Sequence, residues 1–370
     1  MDVVLMVIYA VLILSFLVVI HEGGHFVAAR SFGVRVTEFM IGMPGPNIGF
    51  TVGETKFGIT PILLGGYARV CGMEADKLSP NLPAVLGSIY RRGTANMEDV
   101  ARDCDISDDE AYDALEELVE WGSIQPPTRK DKYNTYRTPA YKPTKRQVKA
   151  ARKAGEPEPQ AYELGQPREV EDELAFYESE YSQQYRSLPF WKRCIILAAG
   201  PLVNLLFAVL AFVVIYSVIG FDVTNSETGA VSHMTINPLQ SIVAGFSYIG
   251  QVVVMVAELF NPTTAEEVVE NSTSIVGIAV MSKSYADAGF TYLLLFMAMI
   301  SVSLGVMNLL PIPPLDGGRL VIEVFQKISR KGVSTRALNY LSLAGMILFM
   351  GFFVVMLNQD IQRFVFGNWS

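Results

Sequence analysis

Two histidines at the end of a long run of uncharged, apolar residues constrain this chain more than any other feature. The run extends from Val3 to Ile20 and leads directly into the sequence HEGGH, which begins at His21 and ends at His25. Eighteen residues of helix are about 27 Å long, which is close to the thickness of a bilayer core. Residues four apart share one helix face, so the two imidazoles can bind one metal ion. The sequence therefore predicts a metal site at membrane depth.

A second polar motif supplies a third predicted ligand. Asp316 follows an apolar stretch that begins near Phe290 and is closed by three prolines, at 311, 313 and 314. A helix of about 30 Å from Phe290 brings Asp316 to a depth similar to that of His21. Two imidazoles and one carboxylate leave a position of Zn²⁺ open, as catalytic sites do, and Glu22 is placed to act as general base. The third histidine, His233, falls in a segment predicted on the other side of the membrane.

Charge distribution predicts how the chain crosses the bilayer. Lysines and arginines cluster in 31–190 and 311–336, so both segments are expected in the cytosol and both termini outside. The run 241–260 is also apolar, but a crossing there would place the last basic loop outside, so we expect an interfacial or partly inserted helix. The three cysteines lie in predicted cytosolic segments and are expected to be reduced. The expected spans are residues 3–20, about 195–220, 290–310 and 337–357.

The predicted fold class is a mainly α polytopic membrane protein with four transmembrane helices, a membrane-re-entrant β-hairpin and a small cytosolic winged-helix-like insert. Hydrophobic residues make up 51% of the chain, which is enough for this architecture. The predicted segments are 1–30 (first span), 31–75 (β-hairpin region), 76–140 (winged-helix-like insert), 141–187 (charged flexible linker), 188–220 (second span), 221–289 (extracytoplasmic segment), 290–336 (third span and loop) and 337–370 (fourth span and tail).

The β-hairpin region has two interpretations. Residues 48–52 and 56–64 alternate loosely around a Gly-Glu turn, which is typical of a hairpin, and they end in Leu64-Gly65-Gly66-Tyr67. These glycines let another backbone approach closely, and Gly65, Gly66 and Tyr67 are predicted to bind the substrate. The hairpin is either an ordinary one at the membrane surface or a sheet edge at 56–64 that takes up an extended substrate segment by strand addition.

The winged-helix-like insert is predicted from three short helices, 82–92, 97–104 and 107–121, followed by a hairpin-like tail at 123–139. Residues 81–122 carry eleven acidic residues and three arginines, so DNA phosphate would repel the third helix and nucleic acid is an unlikely partner. A cytosolic protein partner or a spacer role is expected instead. In the following linker, residues 129–153 carry ten lysines or arginines against one aspartate, which suits either anionic lipid or solvent.

The HEGGH motif together with Asn308-Leu309-Leu310-Pro311-Ile312-Pro313-Pro314-Leu315-Asp316-Gly317-Gly318 resembles the site-2 protease family of intramembrane zinc metalloproteases. Residues 64–67 look like its re-entrant β-loop, 199–204 like the start of its second core span, and 274–278 like the segment ahead of its third. The order of motifs is most similar to the bacterial regulator-of-sigma-E protease branch. A PDZ domain, usual in that branch, has no room in the loop from Phe221 to Leu239.

The resemblance implies His21, His25 and Asp316 as zinc ligands and Glu22 as general base. It further implies that Asn308 helps to hold the substrate or the transition state. The expected function is an intramembrane zinc endopeptidase of the plasma membrane, with its site near the cytosolic face. Its substrates would be single-span membrane proteins, such as anti-sigma factors or remnant signal peptides. The alternative is a membrane scaffold with a structural or vestigial metal site, although a structural site needs no base beside its ligands.

Overall fold

The computed structural model describes residues 2–63, 65–73, 78–128, 131, 133–224, 231–270, 272–330, 332–364 and 366–367. Leu64 and the predicted boundary at 75–76 lie outside these residues. The helices are α1 (Asp2–Ser31), α2 (Leu82–Arg92), α3 (Met97–Cys104), α4 (Asp108–Glu120), α5 (Lys145–Ala154), α6 (Glu173–Tyr181), α7 (Phe190–Val213), α8 (Pro238–Glu258), α9 (Ala265–Glu270), α10 (Ile275–Asp287), α11 (Phe290–Asn308), α12 (Asp316–Ser329) and α13 (Thr335–Phe364). The strands are β1 (Val36–Ile41), β2 (Ile48–Val52), β3 (Thr55–Ile59), β4 (Gly66–Val70), β5 (Thr94–Asn96), β6 (Thr135–Arg137), β7 (Phe221–Thr224) and β8 (Val231–Met234).

The prediction of a mainly α polytopic membrane protein is confirmed. Five of the described helices, α1, α7 (with its π-helical end, Val214–Ile219), α8, α11 and α13, are long and apolar enough to cross a membrane by length and composition. The number of actual crossings stays a prediction.

Helix α7 is the centre of the membrane part, with α1 on one side and α11 on the other. Glycines of the neighbouring helices permit close crossings with α7. Gly24 of α1 lies on the backbone of Ala199, and Gly305 of α11 lies on that of Pro201. Buried apolar residues of α7, α8 and α11, including Ala208, Val252 and Val302, form one continuous core. Such packing, with small residues at the contact, is how helices associate where lipid removes the hydrophobic drive.

Helix α8 packs against α7 and α11. The hydroxyl of Ser241, near its start, meets that of Ser217 at 2.6 Å, and Val256, near its end, shares a core with Val306 of α11. By α10 the chain is back beside the first turns of α1, because Ser282 donates a hydrogen bond to the carbonyl of Met6 (3.3 Å). These contacts place the start of α8 beside the end of α7, and α10 beside the start of α1. The interfacial or partly inserted course expected for 241–260 stays a prediction.

The first four strands form a sheet in the order β2-β3-β1-β4. Strand β2 pairs antiparallel with β3, as the hairpin prediction requires, and β1 pairs parallel with β3 and antiparallel with β4. The predicted substrate-binding edge at 56–64 is wrong, because β3 is covered by β1 on one side and β2 on the other. The edges of this sheet are β2 and β4.

We define the insert module as α2–α6 together with the β5–β6 sheet. Its core includes Trp121 and Tyr136, each 1% exposed. Asn96 and Ser107 cap α3 and α4, the latter in a capping box, as the sequence predicts. Three helices and a two-stranded sheet are the parts that a winged helix requires, and that classification stays a prediction. Helix α6 differs from the predicted flexible linker, because its aromatic side chains pack on this core.

Arg35, at the start of β1, joins the insert module to the membrane part. Its side chain is 7% exposed, and its Nη1 and Nη2 donate to the two carboxylate oxygens of Glu180 at 2.7 and 3.1 Å. Ser123 donates to the same carboxylate at 2.6 Å. The two ends of the module leave the sheet side by side, since the amide of Tyr185 donates to the carbonyl of Cys71 (2.9 Å). Arg35 therefore ties the insert module to the start of β1.

Candidate active site

His21 and His25 lie on one face of α1 and are 7% and 9% exposed. Their Nε2 atoms are 3.3 Å apart. The helix continues through both residues because the sequence from Val3 onward has strong apolar character and no proline before residue 44. Two buried imidazoles thus point at the same spot.

Asp316 completes the cluster from the N-terminus of α12. Its Oδ2 lies 3.1 Å from Nε2 of His21 and 3.2 Å from Nε2 of His25. Within the part of the chain that the structure describes, this is the cluster of His, Cys, Asp or Glu side chains that could hold a metal ion.

These distances suit zinc. Tetrahedral Zn²⁺ with bonds of 2.0–2.1 Å to nitrogen and oxygen places neighbouring ligand atoms about 3.3 Å apart. The three ligand-to-ligand distances, 3.1, 3.2 and 3.3 Å, fall close to that value. Two nitrogens and one oxygen leave the fourth position open, which is typical of catalytic rather than structural zinc.

The other ring nitrogens of the two histidines are held by α7. Nδ1 of His25 donates to the carbonyl of Ile196 at 2.8 Å, which leaves Nε2 with its lone pair for a metal. Nδ1 of His21 lies 3.2 Å from the Asn204 amide, whose oxygen is buried without a partner. Turning that amide by 180° lets its oxygen accept a hydrogen bond from the Nδ1–H group, which leaves Nε2 of His21 free in the same way. The orphaned oxygen is therefore explained by a metal-binding tautomer.

Gly200 makes room for the histidines. A methyl group added at Gly200 would overlap Nε2 of His25 and come within 2.9 Å of Nε2 of His21. Sequence reasoning treated 199–204 only as the start of a span and so missed Gly200 and Asn204 as parts of the site. The signal was a glycine and an asparagine, four apart, in an otherwise apolar helix.

Glu22, one residue after His21, is held by the sheet. Its Oε2 accepts a hydrogen bond from the backbone amide of Ala68 in β4 (2.9 Å). Gly66 lies two residues earlier on the same strand, and a methyl group there would meet Val18 and approach the Glu22 side chain. Strand β4 thus lies directly against the HEGGH turn of α1. This contact fixes the carboxylate beside the histidine pair.

The predicted substrate-binding residues occupy the same neighbourhood. Gly65 has φ +87° and open space around it, and Gly66 and Tyr67 begin β4. The Tyr67 hydroxyl donates to Oε2 of Glu38 (2.9 Å). Asn308, the last residue of α11, donates from its amide to the carbonyl of Leu304 (3.0 Å). Their predicted roles in binding stay predictions.

Helix α12 is fixed to α7 by a buried carboxylate two turns beyond Asp316. Glu323, 4% exposed, lies 3.2 Å from Nη1 of Arg186 and 3.3 Å from Nη1 of Arg193. The hydroxyl of Tyr185 donates to the same carboxylate at 3.3 Å. The ion cluster around Glu323 therefore holds the helix that carries the third ligand.

His233 is not part of these clusters. It lies on β8, where its Nδ1 is 2.8 Å from Asp222.

The chain is similar to known proteins over most of its length. The profile of peptidase family M50 matches residues 9–352. The chain is 23% identical to the regulator of sigma-W protease RasP of Bacillus subtilis, over 96% of this chain and 98% of that protein. It is 22% identical to the zinc metalloprotease RasP of Oceanobacillus iheyensis, over 95% of this chain and 98% of that protein. The similarity thus covers nearly the full length of both relatives.

Proposed function

This chain belongs to peptidase family M50, the site-2 proteases, and from that premise we propose that it cleaves single-span membrane proteins in or near their transmembrane segments. It is a zinc metalloendopeptidase and a multi-pass membrane protein. Anti-sigma factors and remnant signal peptides are the proposed substrate classes; the name of the Bacillus subtilis relative favours the first. The observation that carries the proposal is the meeting of His21, His25 and Asp316 within 3.3 Å, next to Glu22.

In the proposed mechanism, His21, His25 and Asp316 hold the zinc. A zinc ion held by these residues would supply Lewis-acid chemistry, making a water acidic near neutral pH and polarising the scissile carbonyl. Glu22 takes a proton from the attacking water and returns it to the leaving amine. The hydrogen bond from the Ala68 amide keeps the Glu22 carboxylate in place during both transfers. Buried surroundings strengthen these electrostatic interactions.

A helical substrate must unwind before its carbonyl can be attacked, and its freed backbone groups then need partners within the membrane. We propose that Gly65, Gly66 and Tyr67 supply these partners, because Gly65 directly precedes edge strand β4, and Gly66 and Tyr67 begin it, beside Glu22. Strand addition would hold the scissile bond in an extended conformation. Asn308, at the end of α11, is proposed to bind the substrate or the transition state.

The lysine and arginine distribution supports a site near the cytosolic face of the membrane, which we propose to be the plasma membrane. On that assignment the insert module is cytosolic. Its acidic helix α4 is proposed to contact a cytosolic protein, for instance the cytosolic tail of a substrate.

Cleavage of a single-span reporter by the purified chain in proteoliposomes tests the function. Replacing the base, Glu22→Gln, should lower the rate on the order of 10²–10⁴-fold while zinc content stays that of wild type. Loss of zinc together with activity would show that Glu22 has another role. Comparative membrane proteomics of wild-type and E22Q cells would then identify the accumulated substrates.

A further inference from the structure

A strongly basic helix lies outside the site described above. Half of the ten residues of α5 are lysine or arginine, and none is acidic. Lys145, Lys149, Arg152 and Lys153 are exposed. Of these four, only Arg152 has an acidic partner among the described residues, Glu158 at 2.6 Å. The helix therefore presents a positive surface that the rest of the described chain leaves largely uncovered.

Helix α5 begins close to the C-terminal end of α1. Thr144, immediately before α5, lies against the β2–β3 turn: its methyl carbon is 3.7 Å from where a Cβ on Gly53 would stand. The next residue of that turn, Glu54, pairs with Arg30 at 3.5 Å. Helix α1 has 30 residues and is about 45 Å long, the thickness of a bilayer with its headgroups. Arg30, near its end, is thus at headgroup level, and α5 begins there.

Strand β2 continues from the same turn into the hydrophobic layer. Ile48, Phe50 and Val52 alternate along it and are 88%, 67% and 54% exposed. Ile48 lies at the same depth as Gly66, because the strand register pairs Ile48 with Ile59, Ile59 with Ile41, and Ile41 with Gly66. Gly66 lies against Val18, within the apolar run of α1. An uncovered apolar edge inside the bilayer therefore ends at a basic helix on its surface.

We propose that α5 binds the headgroups of anionic phospholipids in the leaflet at the Arg30 end of α1. Apolar residues inserted beside lysines and arginines at headgroup level are the combination by which proteins lie on anionic membranes. Attraction to such a surface acts within a Debye length, about 8 Å at physiological salt, and the contact of Thr144 with Gly53 keeps the start of α5 within that range. Lipid is favoured over an acidic protein tail because the anchoring turn and β2 are themselves at the membrane.

A fluorophore on α5 tests the proposal in the full chain. We would label Ala150→Cys, an exposed position, in a background with serine at Cys104 and Cys194, because the remaining Cys71 is buried. The protein is placed in nanodiscs of phosphatidylcholine, with or without phosphatidylglycerol, that contain headgroup-quencher lipids. Quenching should rise at least threefold with phosphatidylglycerol and fall again in high salt. Replacing Lys145, Lys149 and Lys153 with glutamine should remove that rise.

Arg102→Gln is the control, because Arg102 is a basic side chain, 74% exposed, on α3 of the insert module. It should leave the quenching unchanged. Equal quenching in both lipids would overturn the proposal, as would a rise that survives the triple substitution. A response to added poly-glutamate without a response to phosphatidylglycerol would also overturn it, in favour of an acidic protein partner. The experiment needs no substrate, so its outcome is independent of the proposed proteolytic function.

Discussion

The membrane part and the insert module of this protein achieve order by different means. In the membrane part, helices cross at glycines, and buried polar side chains form small clusters, among them the cluster around His21 and the ion cluster at Glu323. In the insert module, aromatic and aliphatic side chains form an ordinary core, with capped helices and surface ion pairs. Polar residues in lipid are costly and therefore reveal function, whereas the polar surface of the insert module reveals mainly solubility.

Substitution of Arg35, which joins the insert module to the membrane part, is expected to have the largest effect on stability. Arg35→Leu leaves Glu180 buried without its partner, and removing one member of a buried pair typically costs about 3–5 kcal/mol. We expect the insert module to lose protection from limited proteolysis while the membrane helices remain protected. Arg35→Lys keeps the charge but not the two-pronged contact and should give an intermediate result. Unchanged protection in R35L would show that the two parts are held together elsewhere.

A methyl group at the crossing of α1 and α7 should act on the site alone. Gly200→Ala pushes against Nε2 of both histidines, and a misplacement of about 1 Å costs on the order of 100-fold in rate. Reporter cleavage and zinc content should both fall, with no change in proteolysis of the insert module. The matched control is Gly250→Ala on α8, where nothing lies within 4 Å. Equal activity in both variants would contradict the tight crossing.

Asn204→Leu tests the support of His21 with a smaller effect. The leucine keeps approximate volume but removes the group that holds Nδ1, and such outer partners typically change metal affinity about 10–100-fold. Zinc affinity, measured by competition with a chelating dye, should weaken by this factor. Asn204→Asp retains an acceptor oxygen and should recover much of the loss. Wild-type affinity in N204L would remove Asn204 from the account of the site.

The smallest effect concerns pH and belongs to the insert module. Burial raises the pKa of Glu117 to about 7, and its Oε2 accepts from the amide of Ser79 (3.2 Å). The folded state then holds this proton more tightly than the unfolded state, so stability is lost as pH rises from about 4.3 towards 7. Because the side chain is partly exposed, we expect Glu117→Gln to stabilise α4 by about 1 kcal/mol at pH 8 and by little at pH 5. Hydrogen exchange of α4 at both pH values measures this, and an equal gain at both would refute the assignment.

Spacing along single helices was sufficient to predict much of the structure. Four-residue spacing places His21 and His25 on one face, and the depth estimate brings Asp316 to them. Caps at Asn96 and Ser107 define α3 and α4 within one residue. These features depend on local chemistry and on bilayer thickness, both of which the sequence expresses directly.

Pairings between distant segments could not be predicted in this way. Strand β1 carries no clear alternation, so its insertion between β3 and β4 was missed and the wrong edge was expected to receive the substrate. Helix α6 has a charged sequence, but Phe176 and Tyr177 pack on the insert module's core. Gly200 and Asn204 belong to the site only because α7 crosses α1 at that level. Each of these depends on a tertiary contact that local propensity does not encode.

Zinc X-ray absorption on the purified chain tests the central claim most directly. We expect about one zinc per chain with nitrogen and oxygen ligands at about 2.0–2.1 Å and imidazole scattering, which should weaken in His21→Ala and His25→Ala. A sulfur shell near 2.3 Å, or an imidazole signal that survives both substitutions, would contradict a site built from His21, His25 and Asp316.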